Sequence, residues 1–217
     1  MNSLIECKNL TLGYDGEVLL SGINFTVNEG DYLCILGENG SGKTTLMKTI
    51  LGLKKPVSGN IVFGQGLTQN EIGYLPQQTP VQRDFPATAM EIVLSGFVGK
   101  MKLFKPFYDK TQRERAKKSM EMLGISDISN RCYRELSGGQ QQRVLLARAL
   151  CAAEKIILLD EPVASLDPSA TEEFYNMLYK LNKEENITII MISHDALAAQ
   201  KYANHTLHVG EGGATYE

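Results

Sequence analysis

The amino-acid sequence predicts an α/β fold in which βαβ-like segments flank a helical insert. Two short, continuous apolar runs, at 32–36 and 156–159, are typical of strands buried on both faces of a parallel sheet. The first third of the chain alternates extended segments with turns, whereas helical periods dominate between about 79 and 153. Because no long linker or internal repeat interrupts this pattern, we expect one α/β domain that carries a helical subdomain.

Strands are predicted where apolar residues alternate with polar ones or form a short uninterrupted run. Rough period-two alternation marks 4–14, and Asp15-Gly16 forms the turn after it. The run at 32–36 stops at Gly37, as a buried strand does before a loop. The remaining strands are predicted at 18–20, 23–27, 61–63, 72–75, 156–160 and 188–193.

Helices are predicted where apolar residues recur at intervals of three or four and a stop signal follows. Ala116, Met120 and Leu123 form the apolar face of a helix at 110–123, which Gly124 ends. The other helices are predicted at 44–53, 88–98, 139–152, 169–183 and 196–202.

The composition is that of an ordinary globular protein. The chain has 217 residues, of which 43% are hydrophobic and 22% are charged, and its net charge is −3. A slightly acidic chain has no overall excess of the basic residues that contact phosphates in nucleic acids, so we expect no nucleic-acid partner. No run approaches the roughly 18 apolar residues of a membrane span, and the first residues do not form a signal sequence. Four scattered cysteines without a CxxC motif favour a soluble chain in a reducing compartment.

A phosphate-binding motif follows the predicted strand at 32–36. The pattern G-x-x-x-x-G-K-[ST] is matched at every required position by Gly37-Glu38-Asn39-Gly40-Ser41-Gly42-Lys43-Thr44. Glycines let backbone N–H groups curl around an anion, and the positive end of the next helix favours the same charge. Lys43 can contact the outer phosphates, while the Thr44 hydroxyl can bind Mg²⁺. The order of strand, motif and helix disfavours the alternative, a glycine-rich turn with an incidental lysine.

Two acidic residues end the apolar run at 156–159. Asp160 and Glu161 are adjacent, and adjacent residues at a strand end point to opposite sides. We therefore expect Asp160 to hold Mg²⁺, directly or through water, while Glu161 faces an attacking water as general base. The alternative is a solvated turn, which the position after a buried strand and a phosphate motif disfavours.

One further pentapeptide makes the pattern specific. Leu136-Ser137-Gly138-Gly139-Gln140, together with the phosphate motif and the acidic strand end, resembles the signature of ATP-binding-cassette (ABC) ATPases. The resemblance covers essentially the whole chain. Tyr14 resembles the aromatic residue that stacks on adenine, and Gln77 resembles the Q-loop glutamine. Ser165-Leu166-Asp167 resembles the D-loop, and His194 resembles the switch histidine.

Three of these residues also have a structural interpretation. Tyr14 could simply fill a strand, Gln78 competes with Gln77, and His194 could lie beside a helix N-terminus. The order of the motifs along the chain favours the functional interpretation of each.

The resemblance implies the ABC ATPase fold, with a P-loop NTPase core, a mostly parallel sheet, an N-terminal antiparallel β subdomain and a helical insert. One ABC domain would span 1–217, with the core and β subdomain at 1–78 and 154–217 and the helical subdomain at about 79–153. The catalytic residues that it implies are Glu161, His194 and Gln77. The implied Mg²⁺ ligands are Thr44, Gln77 and Asp160. The implied ATP-binding residues are Tyr14, Gly37, Glu38, Asn39, Gly40, Ser41, Gly42, Lys43, Thr44 and Thr45.

The resemblance also implies a head-to-tail homodimer with two ATP molecules between the protomers. Ser137 and Gly139 are predicted at the start of a helix, whose N-terminus attracts anions. One chain has a single γ-phosphate site, beside Lys43, so the signature can act on the ATP of its partner. Hydrolysis to ADP would then remove the group that bridges the two protomers.

Parts of the helical insert resemble a narrower subgroup. Arg83-Asp84-Phe85-Pro86 and Glu91-Ile92-Val93-Leu94-Ser95-Gly96 are similar to subunits that serve zinc or manganese uptake. We therefore expect a peripheral protein on the cytoplasmic face of the membrane that drives separate permease subunits and, through them, an extracytoplasmic substrate-binding protein. Three histidines without a Cys/His cluster provide no site for the transported metal itself.

The sequence also allows two other functions, and it suggests one further contact surface. The alternatives are a soluble ABC ATPase of DNA repair or translation, which usually carries a long coiled-coil insertion or two cassettes, and a transporter subunit for a non-metal substrate. The basic and aromatic stretch from Lys100 to Phe107 is hypothesised to border the docking groove for the permease. Its alternative is a solvated loop that tucks its aromatic side chains into its own domain.

Overall fold

The computed structural model describes residues 3–14, 17–77, 84–100, 107–153, 155–210 and 213–217. The strands are β1 (Ser3–Tyr14), β2 (Glu17–Asn28), β3 (Tyr32–Gly37), β4 (Ser58–Phe63), β5 (Ile72–Leu75), β6 (Ile156–Asp160), β7 (Thr188–Ile192), β8 (His205–Gly210) and β9 (Gly213–Tyr216). The α-helices are α1 (Lys43–Ile50), α2 (Ala89–Leu94), α3 (Lys110–Met122), α4 (Gly138–Ala152), α5 (Pro168–Glu184) and α6 (Ala196–Tyr202). Short 3₁₀ turns occur at Gln69–Glu71, Ser95–Lys100, Ser126–Ile128 and Tyr133–Glu135.

The strands form two sheets. A three-stranded antiparallel sheet has the order β2-β1-β4, and a six-stranded sheet has the order β5-β6-β7-β3-β8-β9. All neighbours from β5 to β8 are parallel, and only the edge strand β9 pairs antiparallel. An N-terminal antiparallel sheet beside a mostly parallel one confirms the predicted fold class.

Strand β3 separates the two hydrophobic cores. Tyr32 and Cys34 belong to the core beneath helices α2 to α6, whereas Leu33 and Ile35 belong to the core between the large sheet, helix α1 and the antiparallel sheet. All four are at most 1% exposed, because successive side chains of a strand point to opposite faces and both faces are covered. The continuous apolar run of β3 is the sequence signal of this arrangement.

Three consecutive helices of the described chain, α2, α3 and α4, lie between β5 and β6. Each begins with a capping box, in which an N-cap oxygen binds the backbone of the third helical residue and that residue's side chain binds back. The N-cap residues are Thr88, Asp109 and Ser137. Within the described ranges, no helix is both long and apolar enough to cross a membrane.

Helix α1 ends three residues earlier than predicted. Gly52 has φ +71, and its N–H donates to the Thr49 carbonyl at 3.0 Å. The N–H of Leu53 donates to the Lys48 carbonyl at 2.9 Å. These two bonds form a Schellman motif, so Gly52 stops the helix before the predicted end.

Other differences have local causes. The segments predicted at 18–20 and 23–27 form one continuous strand, β2, in which Gly22 adopts φ +66 and the pairing with β1 shifts register. The helix predicted at 88–98 is α-helical only to Leu94 and continues as a 3₁₀ turn. Strands β8 and β9 were not predicted, because β8 has only two buried apolar residues, Leu207 and Val209.

Candidate active site

A cleft of about 500 Å³ opens at the carboxyl ends of β3 and β6. It brings the glycine-rich motif together with residues that lie more than 100 positions away in the sequence. The lining residues are Leu19, Asn39, Gly40, Gly42, Lys43, Thr44, Thr45, Gln77, Glu161 and His194. Gly37, Glu38 and Ser41 line an adjoining cavity with Asn39 and Gly40, so the whole motif borders this continuous concave surface.

The backbone of the motif requires glycine at two positions. Gly42 is the N-cap of α1 with φ +101, and a Cβ there would lie 2.7 Å from Leu20 Cδ1. Gly37 has φ +148, and a Cβ would collide with the Val209 carbonyl. A left-handed backbone and close packing therefore exclude larger residues at these two positions.

Lys43 is held inside the loop. Its ammonium donates to the carbonyl oxygens of Gly37 at 2.8 Å and of Glu38 at 2.7 Å, and the residue is only 5% exposed. Burial lowers the pKa of Lys43, while the carboxylates of Glu161 and Asp160 oppose this effect. The loop thus carries a cation at its centre, where an anionic group would meet it.

Asp160 ends β6 as a buried carboxyl group. The residue is 2% exposed, and the Thr44 hydroxyl donates to its Oδ1 at 3.5 Å. Burial, followed by the charge of Glu161, raises the pKa of Asp160, while Thr44 and two lysines lower it. A buried carboxylate beside a hydroxyl is an oxygen donor set that suits Mg²⁺, and a cation here would offset the cost of burying the charge.

Tyr74 is a neighbour of Asp160 that the sequence reasoning missed. Burial, together with the charge of the Asp160 carboxylate, raises the pKa of Tyr74 to about 12. The residue lies on β5, which pairs with β6 in the sheet. A tyrosine within an apolar strand gives no sequence signal of this contact.

Glu161 is held between two polar side chains. Gln77 Nε2 donates to Glu161 Oε2 at 3.1 Å, and His194 Nε2 lies 2.6 Å from Glu161 Oε1. Each carboxylate oxygen therefore has one partner, and the group is fixed in position. The three residues come from the ends of β5, β6 and β7, which are neighbours in the parallel sheet.

The prediction that strand alternation orients Glu161 is wrong. Glu161 lies one residue beyond β6 and has φ +49, so strand alternation does not apply to it. Its N–H still donates to the Ile192 carbonyl at 3.2 Å, which keeps the turn attached to β7. The left-handed turn therefore places the side chain, an unusual backbone for a non-glycine residue and one often found at functional sites.

Tyr14 lies at the end of β1 and does not line the cleft. It is 64% exposed, and the Lys54 ammonium lies 3.2 Å from the centre of its ring. Leu19 lines both the cleft and the adjoining cavity, although no motif pointed to it. Only its position on β2 beside the glycine loop marks Leu19 as an apolar contact of the site.

The signature and the D-loop form a second cleft, of about 390 Å³. It is lined by Ser137, Gly138, Gly139, Gln140, Arg143, Ser165, Leu166, Asp167, Ala170 and Glu173. Leu136 is instead buried, at 6% exposure. The two clefts share no lining residue. The structure thus joins signature and D-loop, and it does not bring them to the glycine-rich motif of the same chain.

Side-chain contacts shape this second cleft. Ser137 caps α4 by accepting from the Gln140 N–H at 3.3 Å, and Asp167 caps α5 by accepting from the Ala170 N–H at 3.0 Å. Arg143 forms an ion pair of 2.5 Å with Glu173, which connects α4 to α5. The sequence reasoning missed this ion pair because the partners are 30 residues apart.

Comparisons with known proteins agree with this geometry. The family model described as ABC transporter matches residues 20–164. The zinc uptake system ATP-binding protein ZurA of Listeria innocua is 38% identical over 97% of this chain and 84% of its own length. The manganese transport system ATP-binding protein MntB of Bacillus subtilis is 39% identical over 91% of this chain and 80% of its own.

A solved structure extends the likeness to three dimensions. The ATP-binding cassette MJ0796, in a dimeric post-hydrolysis state bound to ADP and Pi, superposes with a TM-score of 0.79 at 29% identity. The match covers 99% of this chain and 98% of that one. Both the fold and the sequence therefore confirm the resemblance drawn from the motifs. The chain belongs to the ATP-binding subunit family of ABC transporters.

Proposed function

We propose that this chain hydrolyses ATP to drive a membrane transporter that imports a divalent metal ion, zinc or manganese. The observation that carries the proposal is the convergence of Gln77, Glu161 and His194 beside the glycine-rich loop. Members of this family are the ATPases of ABC transporters, which accounts for the reaction. The names of relatives that are 38% and 39% identical support zinc or manganese as the cargo.

The glycine-rich loop is the proposed phosphate site. Its backbone N–H groups and the N-terminus of α1 surround the phosphates, and Lys43 exchanges its carbonyl partners for phosphate oxygens. Tyr14 provides a ring on which adenine stacks, and Thr45 lies in the first turn of α1. Stacking is tolerant of the base, so recognition of the triphosphate supplies most of the affinity.

Mg²⁺ fits the oxygen donors on this face of the cleft. Thr44 and Asp160 would hold the ion, and the amide oxygen of Gln77 would be the third ligand from the protein. A bound ion would supply positive charge that offsets the charge of the phosphates.

Glu161 is the proposed general base. One carboxylate oxygen takes the proton of the attacking water, whose oxygen then bonds to the γ-phosphorus as the bond to ADP breaks. Gln77 orients the other oxygen of Glu161. His194 holds the carboxylate from the opposite side, and its 44% exposed ring is free to reach the γ-phosphate oxygens as well.

A homodimer follows from the separation of the two clefts. The cation of the signature cleft, Arg143, is paired with Glu173, whereas the glycine-rich cleft has Lys43. Two copies arranged head to tail would place Ser137 and Gly139 of one chain on the nucleotide of the other. The dimeric state of a cassette that is 29% identical supports this arrangement.

An apolar groove next to Gln77 is the proposed contact for the separate permease. It measures about 300 Å³ and is lined by Pro76, Phe85, Glu91, Ile92, Ser95, Tyr133, Leu145 and Arg148. Pro76 precedes Gln77, so a permease segment in the groove would contact the catalytic side of the chain directly. Phe85 is 57% exposed, which leaves an apolar anchor for that segment.

The hypothesis for the stretch from Lys100 to Phe107 falls largely outside the described residues, because 101–106 are not described. Phe107 itself is described and is 82% exposed, so this ring is not tucked into the domain. Phe85→Asp and Phe107→Asp separate the two surfaces. We expect only Phe85→Asp to abolish co-purification with the permease, and the reverse result would move the contact to the 100–107 stretch.

The remaining partners and the location are part of the same proposal. The chain acts as a single ABC domain at the cytoplasmic face of the membrane, with a helical subdomain at about 79–153. The permease would connect it to an extracytoplasmic substrate-binding protein, and no nucleic acid takes part.

The deciding experiment is metal-stimulated ATPase activity of the reconstituted complex. The chain is co-purified with its membrane subunits, placed in liposomes and supplied with substrate-binding protein carrying zinc, manganese or no metal. We expect one of the two metals to stimulate phosphate release and to enter the vesicle. Failure to co-purify with any membrane protein, or equal turnover with and without metal, would overturn the metal-import proposal.

A further inference from the structure

Lys54 has an unusual position for a lysine near the surface. Its ammonium lies 3.2 Å from the centre of the Tyr14 ring, over one face. The ammonium nitrogen is fully buried, and it has no hydrogen-bond partner in the described part of the chain. A buried cation without a hydrogen bond is costly, so the ring is the group that compensates it.

The backbone holds Lys54 in this place. The Schellman motif at Gly52 ends α1, and Val57, a few residues further on, donates its N–H to the Thr11 carbonyl of β1 at 2.8 Å. The segment between them is therefore pinned at both ends beside the strand that carries Tyr14. The contact is built into the fold and does not depend on a free side chain meeting another by chance.

Helix α1 connects this contact to the glycine-rich loop. Its first residue is Lys43, and its eight residues span about 12 Å. The N-terminus of α1 faces the proposed phosphate site, and Lys54 follows the last residue of the helix, Ile50, by four positions. The helix and the pinned segment that follows it thus set the spacing between both ends of a bound nucleotide.

We infer that Lys54 is a positioning residue for nucleotide binding, which holds the Tyr14 ring ready for adenine; this rests on the proposed function of Tyr14. One face of the ring carries the ammonium, and the 64% exposure of Tyr14 leaves the other face open to a planar base. Fixing the ring beforehand reduces the conformational freedom lost on binding. The cation also draws π-electron density towards itself, which favours stacking with an electron-rich purine on the opposite face.

The test compares a ligand that contains adenine with one that does not. Calorimetry with Mg-ADP and with Mg-pyrophosphate is carried out on Lys54→Met, Lys54→Arg and the control Lys55→Met, which alters an exposed neighbour. We expect Lys54→Met to weaken ADP binding about three- to tenfold and to leave pyrophosphate binding unchanged. Lys54→Arg retains a cation over the ring and should restore ADP affinity, and Lys55→Met should behave as the parent.

Tyr14→Leu separates this inference from the proposed function. In that background Lys54→Met should have no further effect on ADP affinity, because the ring is gone. In ATPase assays Lys54→Met should raise KM and leave kcat unchanged. Equal losses for ADP and pyrophosphate, or a full Lys54→Met effect without the ring, would overturn the role of Lys54 alone. If Tyr14→Leu itself left ADP affinity unchanged, the adenine site would be elsewhere and both proposals for these residues would fail.

Discussion

Replacing Glu161 by glutamine tests the proposed chemistry with little change in shape. The glutamine amide has the same size, and its oxygen can still accept from Gln77 Nε2, which lies 3.1 Å from Glu161 Oε2 in the parent. Its NH₂ group can donate to His194 Nε2 in place of the 2.6 Å contact. The side chain is only 18% exposed and held on both sides, so it should keep its position. What is lost is the negative charge and the ability to take a proton.

The expected loss of turnover follows from the role of a general base. Such a group contributes about 10²- to 10⁴-fold, which corresponds to about 3–5 kcal/mol of activation free energy. ATP affinity should not fall, because the substitution removes a negative charge near Lys43 and the phosphates. With binding intact and hydrolysis slow, the ATP-bound dimer should accumulate.

Two measurements check this prediction. Single-turnover phosphate release gives the rate of the chemical step, and size-exclusion chromatography with Mg-ATP gives the fraction of dimer. Glu184→Gln, the same chemical change at an exposed position near the end of α5, is the matched control and should match the parent in both. Parental turnover in Glu161→Gln would refute the general-base assignment. Lost turnover with lost ATP binding would show that Glu161 acts in binding instead.

Three further substitutions test the site and its support. Lys43→Ala should weaken ATP binding about ten- to a hundredfold, because a charge-assisted contact is removed, and undiminished affinity by calorimetry would contradict the phosphate site. Asp160→Asn should raise the free energy of unfolding at neutral pH, because the folded-state pKa of Asp160 is raised and its buried charge is therefore unfavourable. That gain in stability should vanish as the pH falls below 3.8, the ordinary pKa of an aspartate side chain. Denaturant titrations without nucleotide at neutral and acidic pH would detect the difference. Asn182→Leu should lower the free energy of unfolding by about 1–3 kcal/mol, since the buried amide of Asn182 donates to the carbonyls of Gly30 and Ile187, both at 2.9 Å. A lower melting temperature with unchanged ATP affinity would confirm this prediction.

Much of the fold was predictable because its signals are local. The apolar run of β3 and the periodic faces of the helices depend only on neighbours in the sequence, and the capping boxes at Thr88, Asp109 and Ser137 mark helix starts in the same way. Strands β8 and β9 carry no such signal. Strand β8 tolerates polar residues such as His205 and His208, because its backbone groups are paired with those of β3 in the sheet.

The same contrast divides the active site. The phosphate site was predictable, because its residue types occur together in the motif around Lys43, where loop and helix are contiguous in the sequence. The contact of Gln77 and His194 with Glu161 is different, since these residues are separated by 84 and 33 positions. The left-handed turn at Glu161 was equally hidden, because it departs from the strand geometry that the apolar run predicts.

By itself, the sequence determined the class of this protein, because a phosphate motif, a signature pentapeptide and an acidic strand end follow one another in a fixed order. The tertiary structure alone decided that Glu161 is held from both sides, that the signature cleft is separate from the glycine-rich cleft, and that Lys54 covers Tyr14. The physical reason is that the residue types of a motif are consecutive in the sequence. The orientation and burial of side chains arise only when the parallel strands and the segment after α1 bring distant residues together.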